Sequence, residues 1–148
     1  MDLISLLLSL LGIGSDRAMH RSNQRVEAMR LNAEVAAEAG RVLDIISAAT
    51  PNLTRRCAHL CGEDSEIYLS MISVLSSQKE AALQIVSMAD GIRNKTKEAG
   101  AFSDWDRILS ELHSWRANAT RLSPYIQNIV DRYDAALREA EAAADSDV

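Results

Sequence analysis

Apolar residues recur at alternating spacings of three and four along three long stretches of the chain, the pattern of helices with one packed face. In the first stretch, residues 15–49, Met19, Ser22, Val26, Met29, Ala33, Ala36, Gly40, Leu43 and Ser47 form a coiled-coil-like seam. Val35, Ala39, Val42 and Ile46 make a second apolar row beside it, which predicts a helix with two neighbours. Thr50-Pro51 predicts the end of that helix and the start of a short one over 51–61, because Thr followed by Pro is an N-cap with proline at the first helical position. Gly62 is a natural stop.

The second stretch, 64–99, carries Tyr68, Met71, Leu75, Gln78, Ala82, Ile85, Ala89 and Ile92 on one seam, widened by Ile67, Ile72, Val74, Leu83, Val86 and Met88. The third, 104–142, is the most regular: Trp105, Ile108, Leu112, Trp115, Ala119, Leu122, Ile126, Ile129, Tyr133, Ala136 and Ala140. Pro124 lies inside it, yet the register passes through, which predicts one helix kinked near 124. Both tryptophans sit on this seam and read as core. Residues 143–148 form an acidic tail.

Three helices of matched length with short joints predict an all-α fold, an elongated antiparallel three-helix bundle of coiled-coil-like packing. The apolar faces are wider than three helices need. Completion by oligomerisation, with a dimer making a larger bundle, is therefore expected.

Residues 1–14 stand apart as an apolar N-terminal arm. Leu or Ile fills eight of the eleven positions from Leu3 to Ile13, with no charge between Asp2 and Asp16. A bilayer-spanning helix needs about 20 apolar residues, so this segment does not cross alone. Its acidic start also makes a poor export signal. On a helix Leu3, Ile4, Leu7, Leu8 and Leu11 supply contact surface, while Ser5, Ser9 and Gly12 line one narrow strip that admits a close neighbour. Arg17, Arg21 and Arg25 follow as a cationic stripe suited to anionic lipid headgroups. The expected partner of this arm is another copy or another protein, with an anionic membrane surface as the alternative.

Composition narrows the field further. The chain has 148 residues, 47% of them hydrophobic and 25% charged, which fits one soluble domain with a core of its own. Six glycines and two prolines are too few turn signals for a sandwich or barrel. The net charge of −5 disfavours nucleic acid as a partner. Charge is polarised: residues 1–60 hold seven basic residues against six acids, residues 61–148 nine against fifteen.

Nothing in the sequence carries a catalytic signature. There is no phosphate-binding loop, zinc-protease helix or nucleophile elbow. Cys57 and Cys61, four apart, share a helix face and are the only metal-ligand candidates, weak ones, because His59 between them projects the other way. His20 and His113 are the remaining imidazoles. Two thiols without an export signal point to a cytoplasmic protein, with membrane association left open by the arm. No cofactor is expected. The sequence thus reads as a non-enzymatic helical interaction protein, a scaffold, adaptor or structural subunit working through apolar seams and a docking helix. The alternative is a membrane-peripheral or pore-forming protein that inserts residues 3–13.

Overall fold

The computed structural model describes the backbone of residues 3–98 and 102–146, and the side chains of residues 20–97 and 104–146. Among these the chain is all helical: α1 spans Leu3–Cys61, α2 Glu66–Glu98, α3 Phe102–Ala119 and α4 Leu122–Ser146. Helix α1 has 59 residues, about 88 Å at 1.5 Å per residue, and the other helices pack along it.

Two junctions differ from the sequence expectation. Pro51 does not divide the first helix; it lies inside α1. Proline lacks an N–H, so the Ser47 carbonyl loses its helical donor. The helix nevertheless continues, because Val42 and Ile46 before Pro51, and Leu53 and Cys57 after it, all belong to one core cluster. Breaking the helix would pull half of that cluster off its neighbours. The Thr50 hydroxyl donates to the Ile46 carbonyl (2.6 Å) and the Thr54 hydroxyl to the Thr50 carbonyl (2.8 Å), adding bonds on either side of the gap.

The reverse holds at Pro124. The third stretch is two helices, not one kinked helix: α3 closes with Thr120 N donating to Arg116 O (3.1 Å) and Arg121 N to Asn118 O (3.1 Å), and α4 opens at Leu122. Pro124 then occupies the first turn of α4, where its missing N–H has no helical partner to lose. Helix α4 runs on to Ser146, into the stretch that reads as the acidic tail.

At the α1–α2 joint, Gly62 adopts φ +84° and its N–H bonds to Ala58 O (2.9 Å), a left-handed cap. Ser65 caps α2, its hydroxyl accepting from the Tyr68 N–H (3.2 Å).

Cross-helix contacts fix direction and register. Gln24 Nε2 donates to Asp106 Oδ1 (2.8 Å), Arg116 pairs with Glu34, Ser123 Oγ donates to Glu38 (2.9 Å), and Arg56 pairs with Asp134 and Glu141. Higher numbers on α1 meet higher numbers on α3 and α4, so these run parallel to α1. Helix α2 runs antiparallel between them in sequence, with Asn32 Nδ2 bonding to Ala89 O (2.8 Å). Three helices therefore pack in two successive layers: α1, α2 and α3 around Ala28, Leu31, Ile92, Trp105, Ile108 and Leu112, then α1, α2 and α4 around Ile46, Met71, Leu75 and Ile126.

The buried row of α1 is Ala28, Leu31, Val35, Ala39, Val42, Ile46, Leu53 and Cys57, with Gln24 and Asn32 buried among them. This is the row the sequence ranks second. The row it ranks first lies outside: Val26 is 64% and Met29 51% exposed. The two buried amides explain the misreading, since they interrupt the true seam with polar residues. The Oε1 of Gln24 and Oδ1 of Asn32 are buried without a hydrogen-bond partner.

Arg56 ties α1 to α4. Its Nε and Nη2 make a bidentate pair with Glu141 (2.7 and 2.8 Å), and Nη1 donates to Asp134. The hydrogen bonds raise the Arg56 pKa and hold both carboxyls below their ordinary values. A carboxyl lowered on folding stabilises the fold above its unfolded pKa, and the effect disappears as pH falls through the lowered value. Thermal unfolding followed from pH 7 downward is thus expected to weaken below about pH 4, the ordinary carboxylate range. Arg56→Gln should be less stable at neutral pH and lose less on acidification. An equal acid loss in both proteins would remove this pairing from the account.

Candidate functional site

Two apolar surfaces stand out among the described side chains once the three-helix core has closed, and the sequence offers a third at the start of α1. The first is a cleft between α2 and α3. Val35 of α1 forms its floor, with Ile85 and Met88 on one wall and Trp115, Ala119 and Leu122 on the other, around about 260 Å³. A second depression adjoins it, sharing Met88 and Trp115 and rimmed by Lys95, Arg107 and Glu111. Trp105 is core, as its seam predicts, whereas Trp115 is half-buried and presents part of its indole to the cleft. A half-buried aromatic beside an exposed methionine is the type of anchor that binds an apolar side chain of a partner.

The second surface lies on the other flank of α2, between α2 and α1. A groove there is lined by Ser47, Thr50, Pro51 and Thr54 from α1 and by Ile72, Ser76 and Lys79 from α2. Helical periodicity extends both walls. On α1 the row continues from Ser47 back through Leu43, Gly40, Ala36, Met29 and Val26, whereas Ala33 lines a separate polar groove on the α1–α3 side with Arg30, Glu34 and Arg116. On α2 the row continues through Leu83, Val86 and Asp90. Leu43, Gly40, Ala36 and Val86 are half-buried, and Leu83 is about half exposed.

The third surface is the start of α1. Its backbone is helical from Leu3 and continuous with the rest of α1. The side chains of Leu3, Ile4, Ser5, Leu7, Leu8, Ser9, Leu11, Gly12 and Arg17 lie outside the described residues. Arg21 and Arg25 are described, and both are exposed. Among the described residues no helix is long and apolar enough to cross a membrane.

The thiols part company. Cys57 is buried in the core and Cys61 is exposed at the end of α1. Burial, with the neighbouring Cys61 adding to it, pushes the Cys57 thiol up and keeps it protonated. His59 and His113 are exposed. Among the described residues no three His, Cys, Asp or Glu side chains gather where they could hold a metal ion.

No protein family, curated protein or solved structure matches the chain. The surfaces above are therefore the only ground for a functional reading.

Proposed function

We propose that the chain is a helical interaction protein, a scaffold, adaptor or structural subunit that works without catalysis. It would bind through the apolar helix faces its three-helix core leaves uncovered and through the apolar start of α1. One observation carries the reading: Val26, Met29, Leu83 and Met88 are large apolar side chains left about half exposed or more along α1 and α2. Met88 lines the α2–α3 cleft, and Val26, Met29 and Leu83 continue by helical periodicity the rows that wall the α1–α2 groove; aligned exposed apolar residues mark interaction surfaces.

The alternative is a membrane-peripheral protein that inserts residues 3–13, supported by the exposed Arg21 and Arg25 behind that segment. One pair of measurements separates the two. Full-length chain and a version lacking residues 2–13 are weighed by light scattering and floated with vesicles containing anionic lipid. An assembly heavier than one chain with no flotation by either version supports the interaction protein, whether or not removing residues 2–13 changes the mass. Flotation of the full-length chain alone moves the reading to the membrane.

A further inference from the structure

We infer that the α1/α2 face is where the chain meets a second copy of itself, packed antiparallel about a two-fold axis that passes near Gly40 and Leu83. The inference rests on the interaction-protein reading and assigns one surface and one partner to it. Three observations lead there.

The first is charge. The face has a basic end, with exposed Arg21 and Arg25 on α1 and Lys97 on α2, while Arg93 there is paired with Asp90 (3.1 Å). At its other end, around the α1–α2 joint, stand exposed Glu63, Asp64 and Glu66. A surface basic at one end and acidic at the other complements itself when a copy is turned end for end. A parallel copy would set like charges side by side. The same polarity argues against a uniformly anionic partner, which would be repelled by the acidic end.

The second is the middle. Gly40 lies about halfway between Arg21 and Cys61, and Leu83 about halfway along α2. In a two-fold interface, residues near the axis meet their own copies. A Cβ built on Gly40 would meet no atom within 4 Å, so nothing inside the chain requires glycine there. Glycine in a helix interior costs about 0.5–1 kcal/mol relative to alanine. With Ala36 beside it, it lets a second α1 approach closely at the crossing.

The third is size. From Arg25 to Thr54 the face is about 45 Å long at 1.5 Å per residue, and two helices side by side are about 18–20 Å wide. That gives on the order of 800 Å² per copy, the area of a standard stable interface. Its centre is apolar and its ends are charged, as such interfaces are built.

The test uses the full chain and sedimentation equilibrium. Wild type is expected to form a dimer. Gly40→Leu and Leu83→Glu, both directed outward, should each weaken it by about tenfold or more while circular dichroism keeps its helical signal. Arg21→Glu with Arg25→Glu should weaken the dimer, as should Glu63→Lys with Glu66→Lys. Combining all four should restore affinity, because only the antiparallel arrangement sets these ends against each other. A chain that is monomeric at every concentration overturns the inference. So does a dimer indifferent to Gly40→Leu and Leu83→Glu, or one that the combined charge swap does not rescue. Loss of the dimer only on removing residues 2–13 would overturn it too, yet leave the interaction-protein reading intact with α1's start as the contact.

Discussion

Replacing Leu31 with alanine is expected to lower the unfolding free energy by about 2–5 kcal/mol, the usual range for a fully buried leucine. Leu31 has no exposed surface and sits in the cluster that joins all three packed helices, with Ile92 from α2 and Trp105, Ile108 and Leu112 from α3. Its neighbour Ala28 is already small, so little can collapse into the space left behind. Val26→Ala and Met29→Ala, two to five residues away on the exposed row, should change the monomer's stability by less than about 0.5 kcal/mol. The comparison is made by chemical denaturation at dilutions where the chain is monomeric. A larger loss for Met29→Ala than for Leu31→Ala would mean that α1 is turned the other way in the bundle.

That pair of substitutions probes the one face the sequence pattern misjudged. On α2 and α3 the dominant apolar row is the buried row: Met71, Leu75, Ala82, Ala89 and Ile92, then Trp105, Ile108 and Leu112 are all core. On each of these helices the regular three-four seam is also the buried row, so periodicity finds it. Helix α1 has two rows of similar apolar content. The row that looks continuous is outside, and the buried row is broken by Gln24 and Asn32. Which side faces inward is decided by partners far along the chain, such as the Ala89 carbonyl that receives Asn32 Nδ2 and the Asp106 carboxylate that receives Gln24 Nε2. No local pattern contains those contacts. In α4 the effect is smaller: after the Thr120–Arg121 turn the buried positions become Ile126, Val130 and Leu137, so Ala136, on the extrapolated seam, faces solvent. The three surfaces of the candidate site were legible unequally. The surplus apolar width of α2 was plain in the sequence, whereas the α2–α3 cleft exists only where three helices bring Val35, Met88 and Trp115 together.

The two prolines yield the second large effect. Pro51→Ala should stabilise the fold by about 1–3 kcal/mol, because proline costs about 3 kcal/mol in a helix interior and alanine is the best helix former. The N–H gained at position 51 would restore a donor to the Ser47 carbonyl, and the exposed ring contributes little packing to be lost. Pro124→Ala should change stability by less than about 0.5 kcal/mol, since an N–H in the first turn of α4 has no carbonyl four residues back within that helix. Thermal denaturation of the two variants beside wild type reads both numbers. If Pro51→Ala were neutral and Pro124→Ala stabilising, the helix break would lie at residue 51 and the continuous helix at 124, the arrangement the local signals suggest. The expected order is the opposite, for a reason visible in the core: Ile46 and Leu53 lie on opposite sides of Pro51 and pack into one cluster, so the chain keeps α1 intact there. Around Pro124 the Thr120–Arg121 turn leaves Ala119 and Ile126 both buried, so the proline sits in the first turn of a new helix at almost no cost.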